Sequence, residues 1–332
     1  MAKKTMKVGV VGYGPAFRMG WRHLSLMAQN EGFVPTAVCD VSEAQLEAAR
    51  KDFPGIETYA DVRQMLRKSE VELLAIILPH HLHAPVALQC LRAGRHVVVE
   101  KPFAITLSEC DRMIEAAKKS EVMLSAYHNR HWDANILTIM KHLEKIGRPY
   151  RWESQHGGYS KPRDWWRSDK KIAGGAIYDW GAHYTDWMLQ VMPYDMAEIS
   201  GFQVNDVWPN VTLEDEVTAV VRFKGDAVAT HTQTSIDMGP KPNIRIAGTK
   251  GTIVATHGSV EIHAVRPDGT RTVETPPMEK NDPDAYYKNV HAHLFKGEDL
   301  VITAEHARRV IQILYSATRS ANTGKAVRAV FG

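Results

Sequence analysis

From residue 6 to about residue 127, short apolar runs alternate with amphipathic stretches. MKVGVVG predicts a strand, followed by a loop and a helix to about Asn30. FVPTAVCD predicts a second strand, and SEAQLEAARKDF a helix opened by Ser42 as N-cap. VELLAIILP is a continuous apolar run of the kind buried on both faces of a parallel sheet. HAPVALQCLRAG reads as a helix stopped by Gly94, and HVVVEKP as another strand. LSECDRMIEAAKKS is a helix opened by Thr106 or Ser108, and VMLSAYH a last strand. Strand–helix alternation sustained over this length predicts an α/β domain, a doubly wound parallel sheet of the Rossmann type, over residues 1–128.

Beyond a helix expected near residues 132–146 the period changes to two. RWESQHGGY, EVTAVVRFKG, AVATHTQTS, NIRIAGTKGTIVAT, SVEIHAV and TRTVETP alternate, with KGD, TKG and PDG as turn signals between several of them. Two late helices follow, DPDAYYKNVHAHLFKG and TAEHARRVIQILYSATRSANTG, the second ended by Gly324. Residues 129–332 are therefore expected to form an α+β substrate-binding and oligomerisation domain with an open-faced, mainly antiparallel sheet. Its last helix is free to pack back on the Rossmann domain. A wide sheet with one face uncovered is usually buried against a copy of itself, so a homodimer or homotetramer through this sheet is expected.

Composition narrows the function classes. The chain has 332 residues, 44% apolar and 24% charged, which is ordinary for a globular protein of about two domains. A net charge of +3 argues against nucleic acid or an anionic membrane as partner. No apolar run reaches the roughly 18 residues of a spanning helix. The basic start MAKKTMKVGVVGYG runs straight into a glycine motif with no cleavage site, so a cytoplasmic location is expected. Cys39, Cys90 and Cys110 are odd in number and lie inside apolar or helical patterns, reading as reduced thiols.

Three motifs carry candidate chemistry. VGVVGYGPAFRMGWRH follows the first strand and precedes a helix, the context of a dinucleotide fingerprint. Gly12 permits the tight turn and Gly14 lets backbone amides approach a pyrophosphate at a helix N-terminus. The third position, expected to be Gly or Ala, is Phe17; Gly20 follows three residues later, as if one helical turn had been inserted. Asp40 ends the second strand, 28 residues after Gly12, where a carboxylate accepts hydrogen bonds from ribose hydroxyls and repels a 2′-phosphate. No adjacent Arg pair follows, so NAD is favoured over NADP. Glu100, Lys101 and Pro102 stand at the carboxyl end of a buried strand, the end at which open parallel sheets bind ligands. GGAIYDWGAHYTDW, residues 174–187, reads as one helix presenting Asp179, His183 and Asp186 on one face. Asp186 is expected to be a structural partner for an Arg or a backbone group. HHLH at 80–83 invites a zinc reading, but no cysteine or carboxylate set completes a tetrahedral shell, and no metal is expected.

Taken together, the glycine loop, ILPHHLHAPVALQCLRAGRHVVVEKP, YHNRHW, GGAIYDWGAHYTDW, IAGTKGTIV and SANTGKAV resemble the Gfo/Idh/MocA family. This is the family of glucose–fructose oxidoreductase, inositol dehydrogenase and rhizopine catabolism. The resemblance, almost end to end, implies a Rossmann domain, an open-faced C-terminal sheet and a nicotinamide ring lying between them. It implies catalytic roles for Lys101, Asp179 and His183. It also implies cofactor contacts at Gly12, Tyr13, Gly14, Ala16, Phe17, Asp40, Pro79, His80, His83, Glu100, Lys101, Asn129 and Trp166, with His83 at the nicotinamide ribose. Phe17 departs from the family's glycine loop.

Oxidising a secondary alcohol needs a base for the hydroxyl proton while hydride leaves the same carbon. His183 is suited to accept that proton. Lys101 can hold the oxygen and stabilise its developing charge, and Asp179 can bind a hydroxyl or bias the imidazole. Substrate contacts are expected from Lys101, His131, Arg163, Trp165, Arg167, Asp179 and His183; Trp165 and Trp166 either stack on a sugar ring or pack their long loop to the core. The window holding Lys161, Arg163, Arg167, Lys170 and Lys171, with Asp164 and Asp169, is net basic and suits an anionic sugar if it closes over the site. Alternatively, an arginine there binds a carboxylate of the fold. The leading expectation is an NAD(H)-dependent oxidoreductase acting on a sugar, cyclitol or related polyol. The alternative is an NAD-dependent glycoside-cleaving enzyme that oxidises C3 transiently and eliminates without net redox change. A third reading, a non-catalytic nucleotide sensor, is opposed by the intact Lys101, Asp179 and His183 set.

Overall fold

The computed structural model describes residues 5–330. Six strands, β1 (Met6–Val11), β2 (Phe33–Cys39), β3 (Glu57–Tyr59), β4 (Leu73–Ile76), β5 (His96–Val99) and β6 (Leu124–Ala126), form an all-parallel sheet. Its order is β3-β2-β1-β4-β5-β6. Helices α1 (Met19–Ala28), α2 (Glu43–Asp52), α3 (Val62–Lys68), α4 (His83–Arg92) and α5 (Leu107–Ser120) connect them. The strand order reverses between β1 and β4, which makes the crevice beyond their carboxyl ends the expected ligand position. Every residue of β4 and Val97–Val99 of β5 are buried, as a sheet covered on both faces requires.

Two elements here lack a sequence signal. β3 is three residues of exposed or intermediate burial, and α3 buries only Met65. What starts α3 is Asp61, whose carboxylate accepts from the Gln64 amide at 2.9 Å. Of the expected caps, Thr106 opens α5 with a full capping box closed by Glu109. Ser42 stands at the N-cap of α2, but its side chain makes no cap bond. Its amide instead donates to Asp40 Oδ1 at 2.9 Å. The three cysteines are free and buried, and burial pushes the thiols of Cys39 and Cys90 up to about 12.

The second sheet begins after α6 (Ala134–His142) with β7 (Pro149–Gly157). The short α7 (Lys170–Ala173) and α8 (Trp180–Val191) precede β8 (Met196–Val204), β9 (Glu216–Phe223), β10 (Val228–Thr234), β11 (Ile244–Gly248), β12 (Gly251–Ala255), β13 (Val260–Val265) and β14 (Arg271–Glu274). After α9 (Ala285–Lys296) and α10 (Ala304–Thr323), β15 (Val327–Arg328) closes the order β14-β13-β12-β11-β7-β10-β9-β8-β15. Every pairing is antiparallel except β7 with β10. β8 had no alternating signal, because Phe202 and Val204 are exposed while Gly201 is buried, an inversion of the usual polarity. α8 packs on β7 and β10 over a core that includes Trp152, Tyr184 and His231. The opposite face carries Thr218, Val220, Thr230 and Thr232, all half-buried, with the Thr218 and Thr232 hydroxyls 2.9 Å apart.

The chain divides into two compact units, Met1–His128 with Asp284–Arg308, and Asn129–Pro283 with Arg309–Gly332. Residues 284–308, expected with the second domain, thus belong with the first. The reason is aromatic burial: the Tyr286 hydroxyl lies 2.7 Å from Ser125 Oγ, and Phe295 packs edge-on against Phe33. Arg308 also reaches Asp111, with Nη2 3.2 Å from Oδ2. No helix among the described residues is long and apolar enough to cross a membrane.

His231 gives the second unit a pH dependence. Its ring is buried against Tyr184, with Nδ1 2.9 Å from Ser154 Oγ, and burial with the nearby His156 pushes its pKa down to about 3. In the unfolded chain an imidazole titrates near 6.5. The unfolded state therefore binds more protons between those values, so this contribution is intact above about pH 6.5 and is lost as pH falls toward 3. Urea unfolding at pH 7 and pH 5 should show lower stability at pH 5, by up to about 1.4 kcal/mol per pH unit from this group. His231→Gln should flatten that slope; an unchanged slope would refute the assignment.

Candidate active site

In the first unit, the residues that follow β1, β2, β4 and β5 all lie at the carboxyl edge of the parallel sheet. Gly12 has φ +102°, and a Cβ there would stand 1.9 Å from the carbonyl oxygen of Ile77, just past β4. Only glycine fits where the two strand ends come this close. A Cβ on Gly14 would meet nothing within 4 Å, so the loop keeps open space at the position where a pyrophosphate is expected. Gly20, at the start of α1, takes the close-packing role missing at Phe17: its Cβ would lie 2.6 Å from the Tyr13 ring and 2.8 Å from the Gly12 carbonyl. Between them, Ala16–Arg18 form one 3₁₀ turn, with Phe17 and Arg18 both left-handed and Phe17 exposed. This is the inserted turn inferred from the spacing of the glycines.

Asp40 is tied into that loop. Its Oδ2 accepts from the Tyr13 amide at 2.7 Å and its Oδ1 from Ser42 N at 2.9 Å. A carboxylate has about four acceptor positions, so two remain for ribose hydroxyls. Tyr13 is itself buried, its hydroxyl donating to Asp52 at 2.8 Å, with Arg18 on the same carboxylate at 3.0 Å. The open cradle at Gly14 and the spare capacity of Asp40 fit a dinucleotide.

After β4, Pro79 leads into a 3₁₀ turn over His80–Leu82, with His80 buried. His83 opens α4 with no exposed surface, its Nδ1 2.8 Å from the Pro102 carbonyl and its Nε2 2.8 Å from that of Leu78. Burial is the largest influence on the ring and pulls its pKa below the ordinary imidazole value, against the two carbonyls. The ring thus lies between the loop after β4 and the loop after β5, donating to one of the two carbonyls from whichever nitrogen carries its proton. Glu100 and Lys101 follow β5, the Glu100 side chain accepting from the Lys101 amide at 2.9 Å.

In the second unit, the stretch 174–187 is not one helix. Gly174 and Gly175 have φ of +93° and +151°, residues 176–178 form a 3₁₀ turn, and α8 starts at Trp180. Asp179 is its N-cap residue but makes no side-chain cap bond. Arg167 Nη1 donates to Asp179 Oδ1 at 2.7 Å. The same guanidinium lies 5.2 and 5.0 Å from the rings of Trp165 and Trp166. The expected sugar platform and the expected catalytic carboxylate are thereby joined through Arg167. Of the other bases in this window, Lys170 pairs with Glu214 at 2.6 Å, while Lys161, Arg163 and Lys171 are exposed.

His183 lies one turn into α8, buried, with the Trp180 ring edge-on at 5.6 Å. Trp180 stacks on His156 at 4.2 Å, and the Arg130 guanidinium lies 4.6 Å from the same ring. Asp186 faces His131, both carboxylate oxygens 3.1 Å from Nδ1, and Gln190 Nε2 donates to its Oδ2 at 3.4 Å. Asn129 and His131 share the 3₁₀ turn Asn129–Trp132 and are half-buried.

Glu214 is the site residue that the sequence hid. It is buried, and its Oε2 accepts from the Ala176 amide at 2.8 Å while Oε1 holds Lys170. It thus clasps the glycine turn three residues before Asp179. In VTLEDEV it reads as a turn acid, and nothing in the pattern marks it as buried. His156 was within reach, since Trp152, Ser154 and His156 fall on one face of β7 by period two.

Residues 6–128 match the profile of the oxidoreductase family with an NAD-binding Rossmann fold, and residues 141–254 match the GFO/IDH/MocA C-terminal domain. The chain belongs to the GFO/IDH/MocA oxidoreductase family. It is 26% identical to the scyllo-inositol 2-dehydrogenase (NADP(+)) IolW of Bacillus subtilis, over 97% of this chain and 96% of that protein. It is also 26% identical to the myo-inositol 2-dehydrogenase of Thermotoga maritima, over 75% of each. Among solved structures, the WlbA dehydrogenase of Bordetella pertussis, in complex with NADH and UDP-GlcNAcA, superposes with a TM-score of 0.84. That comparison is at 22% identity, covers 98% of this chain and 99% of the other, and speaks to the fold.

Proposed function

We propose that this family member is an NAD(H)-dependent dehydrogenase acting on a secondary alcohol of a sugar, cyclitol or related polyol. The observation that carries the reading is the position of Lys101 directly past β5, at the sheet edge that also presents the open Gly14 cradle and Asp40. Inositol dehydrogenases among the relatives support a cyclic polyol. In this reading Gly12–Gly14 and Asp40 hold the dinucleotide, which supplies the hydride acceptor when bound. Lys101 donates a hydrogen bond to the substrate oxygen and stabilises the negative charge that grows as the C–H bond breaks. His183 takes the hydroxyl proton, so the alcohol becomes a ketone with hydride and proton leaving separately. Asp179, held by Arg167, accepts from a neighbouring substrate hydroxyl. The test is a screen of inositols, sugars and sugar acids for NADH formation. Release of an aglycone without net NADH would replace the reading with transient oxidation and elimination.

Asp40 sets the cofactor preference in this proposal. NAD should outperform NADP by ten-fold or more, about 1.4 kcal/mol. Asp40→Asn keeps an acceptor oxygen for Tyr13 N and removes the charge, so it should narrow the gap. Equal use of both cofactors by the unaltered protein would refute the role, and the NADP(+)-dependent relative makes this comparison informative.

Self-association is proposed through the Thr218, Val220, Thr230 and Thr232 face with exposed Phe202. Light scattering should report a dimer or tetramer at micromolar concentration, and Phe202→Glu should shift it toward monomer; a monomeric unaltered protein would refute it.

A further inference from the structure

Next to Lys101 lies a buried group of side chains that the chemistry above does not use. His23, in the second turn of α1, has no exposed surface. Its Nδ1 is 2.5 Å from the Tyr287 hydroxyl of α9, and its Nε2 is 3.1 Å from Glu100 Oε1. The other oxygen of Glu100 accepts from the Lys101 amide at 2.9 Å. Residues 23, 100, 101 and 287 thus meet within one unit from three distant parts of the chain.

Tyr287 is fully buried, and burial raises its pKa well above the usual phenol value, so the hydroxyl keeps its proton. Among the described residues, His23 Nδ1 is its hydrogen-bond partner. The Glu100 carboxylate can only accept, so His23 Nε2 carries a proton and donates to it, while Nδ1 meets the phenol hydroxyl. Burial works against ionised Glu100, yet the hydrogen bond and charge of His23, followed by the charge and amide of Lys101, outweigh it and hold the carboxyl below its ordinary range. The other groups around this chain are Tyr127, whose ring centroid is 4.1 Å from that of His23, and the charges that act on Tyr127, Arg22 and Asp284. Tyr286 lies edge-on to Tyr287.

We propose that Tyr287, His23 and Glu100 form a hydrogen-bond chain that fixes the Glu100–Lys101 peptide, and so presents Lys101 to the reacting hydroxyl. His23 and Tyr287 are positioning residues in this scheme, which rests on the role of Lys101 proposed above. β5 ends at Val99, so the Lys101 amide lies beyond the strand, and the neighbouring carboxylate accepts from it instead. That carboxylate cannot rotate without breaking its bond to His23 as well. Without His23, a buried carboxylate short of a donor moves toward its neutral form and becomes a weaker acceptor for Lys101 N.

The test uses full-length protein carrying glutamate labelled with carbon-13 at the side-chain carboxyl, together with steady-state kinetics on the best substrate from the screen. In His23→Leu, the Glu100 titration midpoint should rise by at least about one unit. kcat should fall ten-fold or more with KM for NAD within two-fold. His23→Gln, which can both donate to Glu100 and accept from Tyr287, should recover most of both. Tyr287→Phe, which removes a single oxygen, should move both readouts the same way by less, and carries the comparison if His23→Leu does not fold. An unmoved Glu100 midpoint in the folded variants, or an unchanged kcat despite a moved midpoint, would overturn the proposal. If no substrate is turned over, the dehydrogenase reading and the presentation of Lys101 fail together, while the midpoints still decide whether the chain holds Glu100.

Discussion

Replacing Lys101 by alanine is expected to lower turnover by about 10² to 10⁴, the range for a positioned acid–base group, and His183→Ala by a similar factor. Both should leave nucleotide binding largely intact, because Gly12, Gly14 and Asp40 make the proposed contacts without them. The two side chains are proposed to serve one event, the loss of a proton from an oxygen whose carbon is losing hydride. Residues that act as a unit are non-additive, so the double variant should be little slower than the worse single one. Stopped-flow NADH absorbance separates turnover from nucleotide affinity, which fluorescence titration gives independently. Near-full activity of His183→Ala from pH 6 to pH 9 would move the base to Lys101 or water. Strictly multiplicative losses in the double variant would assign the two residues to different steps.

What could be read from the chain alone depended on whether the signal was local. The parallel sheet announced itself because β4 and β5 are unbroken apolar runs, and Thr106 with Glu109 marked the start of α5. Gly20 could be inferred as a displaced packing glycine because its spacing from Gly12 and Gly14 is a sequence property. Residues defined by a distant partner could not be read. Glu214 matters through Ala176 and Lys170, and His23 through Glu100 and Tyr287, none of which is a neighbour in sequence. His83 shows the intermediate case. The HHLH motif places it just past a strand end, but nothing local shows that its two ring nitrogens face the carbonyls of Leu78 and Pro102. The single helix expected to carry Asp179, His183 and Asp186 starts only at Trp180, after a 3₁₀ turn over 176–178, so Asp179 stands at its N-cap. That delay has a consequence for chemistry: Asp179 is turned toward Arg167 at the helix entrance, while His183 stays buried within the first turn.

The glycine loop allows folding and cofactor binding to be separated by two single methyl groups. Gly12→Ala places a Cβ 1.9 Å from the Ile77 carbonyl oxygen at φ +102°. The left-handed backbone costs about 1–2 kcal/mol, and forcing the ends of β1 and β4 apart adds about 1–3 kcal/mol of overpacking. Against a typical stability of about 5–15 kcal/mol, that loss lowers the melting temperature measurably and depletes folded protein in cells. Gly14→Ala meets nothing within 4 Å and needs no positive φ. Its stability should match or slightly exceed the unaltered protein, since alanine restricts the unfolded chain by about 0.4–1 kcal/mol. The added methyl stands instead where the dinucleotide is proposed to lie, so the NAD dissociation constant should rise at least ten-fold, about 1.4 kcal/mol. Urea unfolding and nucleotide titration on the two variants give opposite patterns if the loop works this way. A Gly14→Ala protein with unchanged NAD affinity would remove the pyrophosphate from this loop. One as unstable as Gly12→Ala would mean that Gly14, too, serves the fold.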